Sequence, residues 1–438
     1  MKHVSLRQTV FASLVLGLGV AACEDHRLSP ELGFPAVVDA TNPGTFLPNV
    51  LATVNGVQVY NGGFGSAIAA DPNDPGAFFM LTDRGPNIDG TIANSKVFAV
   101  PGFVPQIGKF RVKNGTMVLE KIIELKNSAG GKLNGLPNPI NQGGTGETAL
   151  DLSGNNLGTS VDGIDSEGMA VAADGSFWIS DEYGPHLVHF DATGKTIERI
   201  NPFGTGTGGR TIPLVFATRR ANRGMEGLTL TPDGKTLVGL MQFPLYNPSS
   251  AAVTGSLVTR ILTFDIATGV TRQFVYLIER ANLQANSEIT AITNTTFLVL
   301  ERDGEYGTDA NKSTLFKRVY KIDLAGATDI SDPGNGANGK LYGGKTVEEL
   351  KNAATLQTNG IVPVSKSLVL DLATDVSPTY PHDKAEGMAL ITPTLLAISN
   401  DDDFGIGGVG TYSQKILPAT NAVDRNRVYF IVLKAPVK

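Results

Sequence analysis

The 438 residues are 41% apolar and 18% charged, which allows a large buried core and excludes the compositions of disordered and collagenous chains. The net charge is −6 and becomes more negative when a leader carrying Lys2 and Arg7 is removed. Nucleic acid is therefore excluded as a partner, because phosphate backbones are bound by a surplus of Lys and Arg.

The chain opens with a positively charged stretch (Lys2, Arg7) followed by an uncharged, largely apolar run over 10–22. That run is shorter than the roughly 20 residues a membrane-spanning helix needs, and it has the order of a secretory signal peptide. It ends Val20-Ala21-Ala22-Cys23, which resembles the bacterial lipobox, and Cys23 is the only cysteine in the chain. No intramolecular disulfide can form. The reading is a signal peptide over 1–22, lipidation at Cys23 and a lipid-anchored tether over 23–44. The protein is then exported and held in the cell envelope, facing the periplasm. Glu24 follows the cysteine where Asp would signal inner-membrane retention, which leans towards the outer membrane.

From 45 to 438 the sequence reads as one repetitive domain, expected to be monomeric. The segment 45–59 is expected to add a strand to the last repeat and close a ring. Four stretches then open with Glu and run into an apolar strand: Glu167-Gly168-Met169-Ala170-Val171, Glu226-Gly227-Leu228-Thr229-Leu230, Glu288-Ile289-Thr290-Ala291-Ile292 and Glu386-Gly387-Met388-Ala389-Leu390. A fifth, Ser66-Ala67-Ile68-Ala69-Ala70, puts Ser in the Glu place. Each leads to a second apolar run that ends near acidic or amide side chains. Ala173-Asp174-Gly175 and Pro232-Asp233-Gly234 supply strong hairpin signals. Third strands follow, such as Ile261-Leu262-Thr263-Phe264-Asp265, and a fourth completes the unit. Four short antiparallel strands in tandem describe a propeller blade. The expected fold is an all-β propeller with five recognisable four-stranded blades, a sixth remaining possible. Two long insertions interrupt it, at 126–164 and 325–362, the second with a short helix near 346–354 capped by Thr346.

Equivalent strand starts in a propeller face one end of the central channel. Glu167, Glu226, Glu288 and Glu386, with Asp83, are thus expected to form a carboxylate ring. Such a cluster is costly unless a cation offsets it, and oxygen ligands of this kind suit Ca²⁺. The alternative is that each Glu accepts backbone N–H groups and locks one blade to the next. Arg84, Arg223, Arg302 and Lys384 lie beside the same heads, where basic side chains, the guanidinium forks above all, could hold an anionic substrate. Asp181, Glu182 and His186, at the end of a second strand, are candidates for acid–base work. A serine-hydrolase elbow of the Gly-x-Ser-x-Gly type is absent from the sequence.

The runs Thr82-Asp83-Arg84-Gly85-Pro86-Asn87, Asp165-Ser166-Glu167-Gly168-Met169, Trp178-Ile179-Ser180-Asp181-Glu182-Tyr183-Gly184-Pro185, Asn222-Arg223-Gly224-Met225-Glu226-Gly227 and Lys384-Ala385-Glu386-Gly387-Met388 together resemble the bacterial phytase-like family, "esterase-like activity of phytase". The resemblance implies a propeller and hydrolysis of carboxylic or phosphoric esters; the alternation of acid and base round the rim makes a small anionic ester the expected substrate. It implies no catalytic residue set. By analogy of fold, the calcium-dependent β-propeller phytases suggest a metal at the channel mouth. A non-catalytic propeller that presents its rim to an envelope ligand or partner fits the same residues.

Overall fold

The computed structural model describes residues 37–39, 49–113, 116–281 and 284–438. The leader and Cys23 lie outside them. The hairpin signals act as expected: at Asp174-Gly175 the Asp174 carboxylate accepts from Ser176 N at 3.0 Å, and Gly175 takes φ +83°, a left-handed turn conformation that glycine adopts without steric cost.

Five four-stranded antiparallel sheets result. Blade 1 is Ala67–Ala70, Ala77–Leu81, Gln106–Lys113 and Thr116–Glu124; blade 2 is Ser166–Val171, Phe177–Asp181, Leu187–Phe190 and Thr196–Ile200. Blade 3 is Met225–Leu230, Thr236–Met241, Val258–Asp265 and Thr271–Leu277; blade 4 is Ala285–Ala291, Thr296–Arg302, Lys317–Asp323 and Ser365–Asp371. Blade 5 is Met388–Thr392, Leu395–Ser399 and Arg427–Val432, completed on its outer edge by Val37–Asp39. The five first strands meet around the axis, each against the next, and the fifth returns to the first. This is a closed β-propeller of five blades, and closure removes the unpaired sheet edge. Neither long insertion contains a sixth.

The closing strand differs from expectation. Val37–Asp39 pairs with Arg427–Val432, in register Val37 with Tyr429. The propeller therefore draws its last strand from within the span read as tether. The segment expected to do this instead folds as a separate hairpin, Val50–Val54 with Val57–Tyr60. Val54 and Val59 pack there with Phe103, Phe404, Ile406 and Tyr412.

Burial is organised by blade interface, with one apolar cluster in each. Phe79, Ile107, Phe177 and Phe190 fill the space between blades 1 and 2; Trp178, Leu187, Leu237 and Phe264 do so between 2 and 3. Val238, Phe274, Phe297 and Ile322 join 3 to 4, Leu300, Val319, Leu396 and Ile398 join 4 to 5, and Phe78, Phe110, Ala397 and Phe430 join 5 to 1. The Gly of each Glu-Gly head belongs to the same packing. A Cβ on Gly168 would lie 2.4 Å from Leu228 N of blade 3, and one on Gly227 would lie 2.7 Å from Ile289 N of blade 4. Only glycine lets neighbouring inner strands approach so closely.

Both insertions rest against the blades. In 325–362, Thr346 Oγ1 accepts from Glu349 N while Glu349 Oε2 accepts from Thr346 N, the reciprocal box of a helix start. That box caps a single 3-10 turn, Glu348–Leu350; the α-helix follows at Ala353–Thr358, with its own cap at Asn352. The fully buried Arg260–Glu348 pair, 2.6 Å, fastens the segment to blade 3. In 126–164, Thr148–Leu150 pairs in parallel with Ser95–Phe98 from the loop above blade 1.

Candidate functional site

In an antiparallel blade the start of the first strand and the end of the second lie at the same face. The polar heads and strand ends picked from the sequence therefore collect around one cavity of about 440 Å³ at one mouth of the channel. Strand register decides which heads reach it. Met225 pairs with Met241 and Gly227 with Leu240, leaving Glu226 in a bulge. Asn286 pairs with Glu301 and Glu288 with Leu300, leaving Ser287 in the matching bulge. Bulges re-aim a side chain; in blade 3 the bulge aims Glu226 into the mouth, and in blade 4 it turns Ser287 towards Arg302.

The expected ring of four Glu is corrected by this register. Glu167, Glu226 and Glu386 line the cavity, but the blade 4 counterpart is Ser287, and Glu288 stands where blades 2, 3 and 5 carry Gly. The Glu288 carboxylate Oε1 accepts from Leu228 N at 3.1 Å and Ile289 N at 2.9 Å. It is a blade lock between blades 3 and 4, and it borders the apolar opposite end of the channel with Met169 and Met388. Arg302 takes the place that a fourth Glu would have used: its Nε donates to Ser287 Oγ at 3.0 Å and its Nη2 lies 2.5 Å from Glu386 Oε1 and 4.0 Å from Glu226 Oε1. Gln242 donates to Glu226 Oε1 at 2.7 Å, while Glu226 Oε2 is buried with no partner among the described residues.

A second group forms the opposite wall. One oxygen each from Asp165, Glu167 and Glu182 lie within 4.8 Å of one another. One end of the Asn222 carboxamide lies 3.1 Å from Glu182 Oε2 and 3.2 Å from Asp165 Oδ2. As an amide NH₂ it donates to both; as a carbonyl it adds a fourth oxygen to the set. Glu167 is 8% exposed, and no hydrogen bond or ion pair from the described residues reaches its carboxylate. Burial, then repulsion from Glu226 and Asp165, drives the Glu167 carboxyl well above the usual range; burial raises Glu226 in the same way. Burial outweighs Arg223 and lifts Glu182 to about 7. Burial and the Asp165 charge lift Asp83 to about 8. These are acids held close together at an energetic cost that a cation would offset.

Cations from the chain surround the same space. Arg84, 4% exposed, is held at 3.0 Å by Glu147 Oε1 and at 3.6 Å by Asp165 Oδ2, and stacks on Tyr183 with its Cζ 4.7 Å from the ring centre. The Tyr183 hydroxyl in turn bonds Glu147. Arg223 approaches Glu182 at 3.7 Å, and Lys384 bridges Asp401 and Asp403 at 2.7 Å each.

Asp83, Arg84, Glu182, Arg223 and Arg302 from the sequence reading thus line the cavity, and Asp181 and His186 do not. Asp181 is fully buried; its Oδ1 accepts from Asp165 N at 3.1 Å and Tyr183 N at 3.0 Å, and its Oδ2 meets His186 Nδ1 at 3.0 Å. The other nitrogen of His186 bonds Gln142 O at 2.8 Å. The pair buckles the 182–185 loop and the first insertion to blade 2, behind the carboxylates. Their assignment to acid–base work is corrected to positioning. Lys384, read as one of the basic residues beside the heads, lines the cavity too, whereas sequence reasoning left Asp165, Asn222, Gln242 and Glu147 out of the site. Asp165, two residues before Glu167, and Asn222, next to Arg223, were visible in the same runs. Glu147 sits in the insertion and carried no signal.

The phytase-like family model, described as "Esterase-like activity of phytase", matches residues 60–404. An "Uncharacterized secreted protein" of the fungus Arthroderma benhamiae is 27% identical over 358 residues, covering 66% of this chain and 69% of that protein. Among solved structures, the PQQ-bound aldose sugar dehydrogenase of Streptomyces coelicolor aligns at 10% identity over 88% of this chain and 98% of its own, with a TM-score of 0.36. Virginiamycin B lyase of Staphylococcus aureus aligns at 10% identity over 82% and 77%, with a TM-score of 0.30. With the family model spanning four of the blades completely and reaching into the fifth, this five-bladed chain belongs to the phytase-like family.

Proposed function

We propose that the chain is an exported, calcium-dependent hydrolase of phosphate esters or other anionic esters, working at the polar mouth of the propeller. The observation that carries the reading is the convergence of Asp165, Glu167 and Glu182 with Asn222 beside three arginines in one cavity. Glu167 without a protein partner and the orphaned Glu226 Oε2 are the second sign that something cationic completes the set. The donors are all oxygens, which suits a hard divalent cation such as Ca²⁺. Asp165, Glu167, Glu182 and Asn222 would hold it, and when bound it supplies Lewis acidity.

The chain's own residues supply the rest. Arg84, already fixed by Glu147 and Tyr183, presents a fork to the oxygens of an anionic ester, and Arg223 and Arg302 face it from the other walls. Walls buried this deeply strengthen each of those interactions. Asp83, beside Arg84 and Lys384, is placed to pass a proton to a leaving alcohol. Export rests on the leader reading and on the secreted fungal relative; lipidation at Cys23 would keep the protein in the envelope. The test is a panel of chromogenic phosphate and carboxylate esters offered to the full chain with calcium and with chelator. Calcium-dependent turnover of the anionic members is expected. Absence of turnover on every ester, from a folded protein, would favour a binding module.

A further inference from the structure

Beside the reaction cavity, blade 3 carries a smaller cleft of about 250 Å³, lined by Arg220, Phe243, Tyr246, Ser250 and Thr254. Phe243 borders both spaces, so the two are neighbours across one ring. Cations and rings alternate along the shared wall: Arg223 Cζ lies 5.6 Å from the centre of Phe243, and Arg220 Cζ lies 5.2 Å from Phe243 and 5.9 Å from Tyr246. Arg223 is also the residue that approaches Glu182 in the reaction cavity. The ladder therefore runs outward from the carboxylate centre.

Two features set this wall apart from incidental surface. Arg220 has no carboxylate partner and no side-chain hydrogen bond among the described residues, although most cations around the mouth have one. The aromatic segment is also rigidly seated. Leu245 is 1% exposed beneath it, Tyr246 N donates to Thr218 O at 2.9 Å, and Asn247 Nδ2 donates to Glu348 Oε2 at 2.9 Å. Tyr246 itself is 36% exposed. A fixed, flat, weakly hydrated surface with spare N–H donors is a platform for a planar ring with acceptor atoms on its edge.

We infer that this cleft is a leaving-group subsite for an aromatic or heteroaromatic ring on the alcohol part of the ester. The inference rests on the proposed hydrolase reading for the direction of the ester, but the ring preference can be read without turnover. The full chain is titrated calorimetrically with benzylphosphonate and ethylphosphonate, and assayed on benzyl and ethyl phosphate, whose alcohols are of similar acidity. Stacking predicts that the benzyl member binds about tenfold more tightly. Phe243→Leu, which keeps bulk but removes the ring, and Tyr246→Ala, at a half-exposed position that folding tolerates, should each collapse the ratio towards one. Equal affinity of the two phosphonates, or a preference that survives both substitutions, overturns the subsite. Turnover of both esters without ring preference does so while leaving the hydrolase reading standing. A ring preference in phosphonate binding that both substitutions abolish, with no turnover of any ester in the panel, supports the ring site and overturns the hydrolase reading, and with it the leaving-group role.

Discussion

Glu288 and Glu167 begin the same kind of repeat in the sequence, yet the structure sets them at opposite ends of the channel, and a pair of substitutions tests the different roles proposed for them. Glu288→Ala leaves Leu228 N and Ile289 N without their acceptor. Each orphaned buried N–H costs about 1–3 kcal/mol, so the loss is about 2–6 kcal/mol. For a chain of this size the unfolding entropy is about 0.9 kcal/mol/K, at roughly 2.1 cal/mol/K per residue, and the melting temperature should fall by about 2–7 °C. The fall should be the same with calcium and with chelator, because no cation touches Glu288. Glu167→Gln removes one of several repelling carboxylates and no hydrogen bond, so the metal-free protein should melt at the same temperature or slightly higher. Calcium at 100 times its dissociation constant adds about 2.7 kcal/mol to the wild type, a rise of about 3 °C. In Glu167→Gln most of that rise should vanish. Differential scanning calorimetry of the three proteins, with and without calcium, reads all six values. A calcium shift that is intact in Glu167→Gln, or lost in Glu288→Ala, refutes the division of roles.

The acidity of the cluster gives a further expectation. The folded Glu182 and Asp83 carboxyls titrate near 7 and 8, above their unfolded values, so their protonated forms favour folding at low pH and that contribution is lost as pH rises through 7–8. Melting of the chelated protein should therefore fall between pH 6 and pH 8.5, and the calcium shift should be larger at the upper end. Glu147→Gln weakens the charged bond that holds Arg84; at about 1.5 kcal/mol or more, kcat/KM for an anionic ester should drop about tenfold, mostly through KM, with a neutral ester unaffected. Cys23→Ser should move the protein from the membrane to the soluble fraction on cell fractionation, and membrane retention of the variant would refute acylation as the anchor.

Blade count, strand order within blades and the location of the site at strand ends were legible because alternation and Asp-Gly turns report on local hydrogen bonding. Register was not. Glu288-Ile289 and Glu226-Gly227 look aligned as text, and only the bulge in the blade 4 hairpin shows Ser287 to be the true counterpart. The blade closure was misplaced because Val37–Asp39 is short and its pairing with Arg427–Val432 spans almost the whole chain, a distance over which periodicity carries no information. Asp181 and His186 looked chemical for their residue types, and burial behind the wall is a property that a strand end does not announce. The place of Arg84 at the channel mouth was readable from Asp83-Arg84; the Glu147 that fixes it comes from a loop whose docking no local signal predicts.

Calorimetric titration of the chelator-stripped full chain with calcium tests the central claim most directly. Binding is expected in the wild type and in Glu288→Gln, whose amide oxygen still accepts the two backbone N–H groups, and it should disappear in Glu182→Gln. No binding by the wild type, or equal binding by Glu182→Gln, would contradict a cation held by Asp165, Glu167, Glu182 and Asn222.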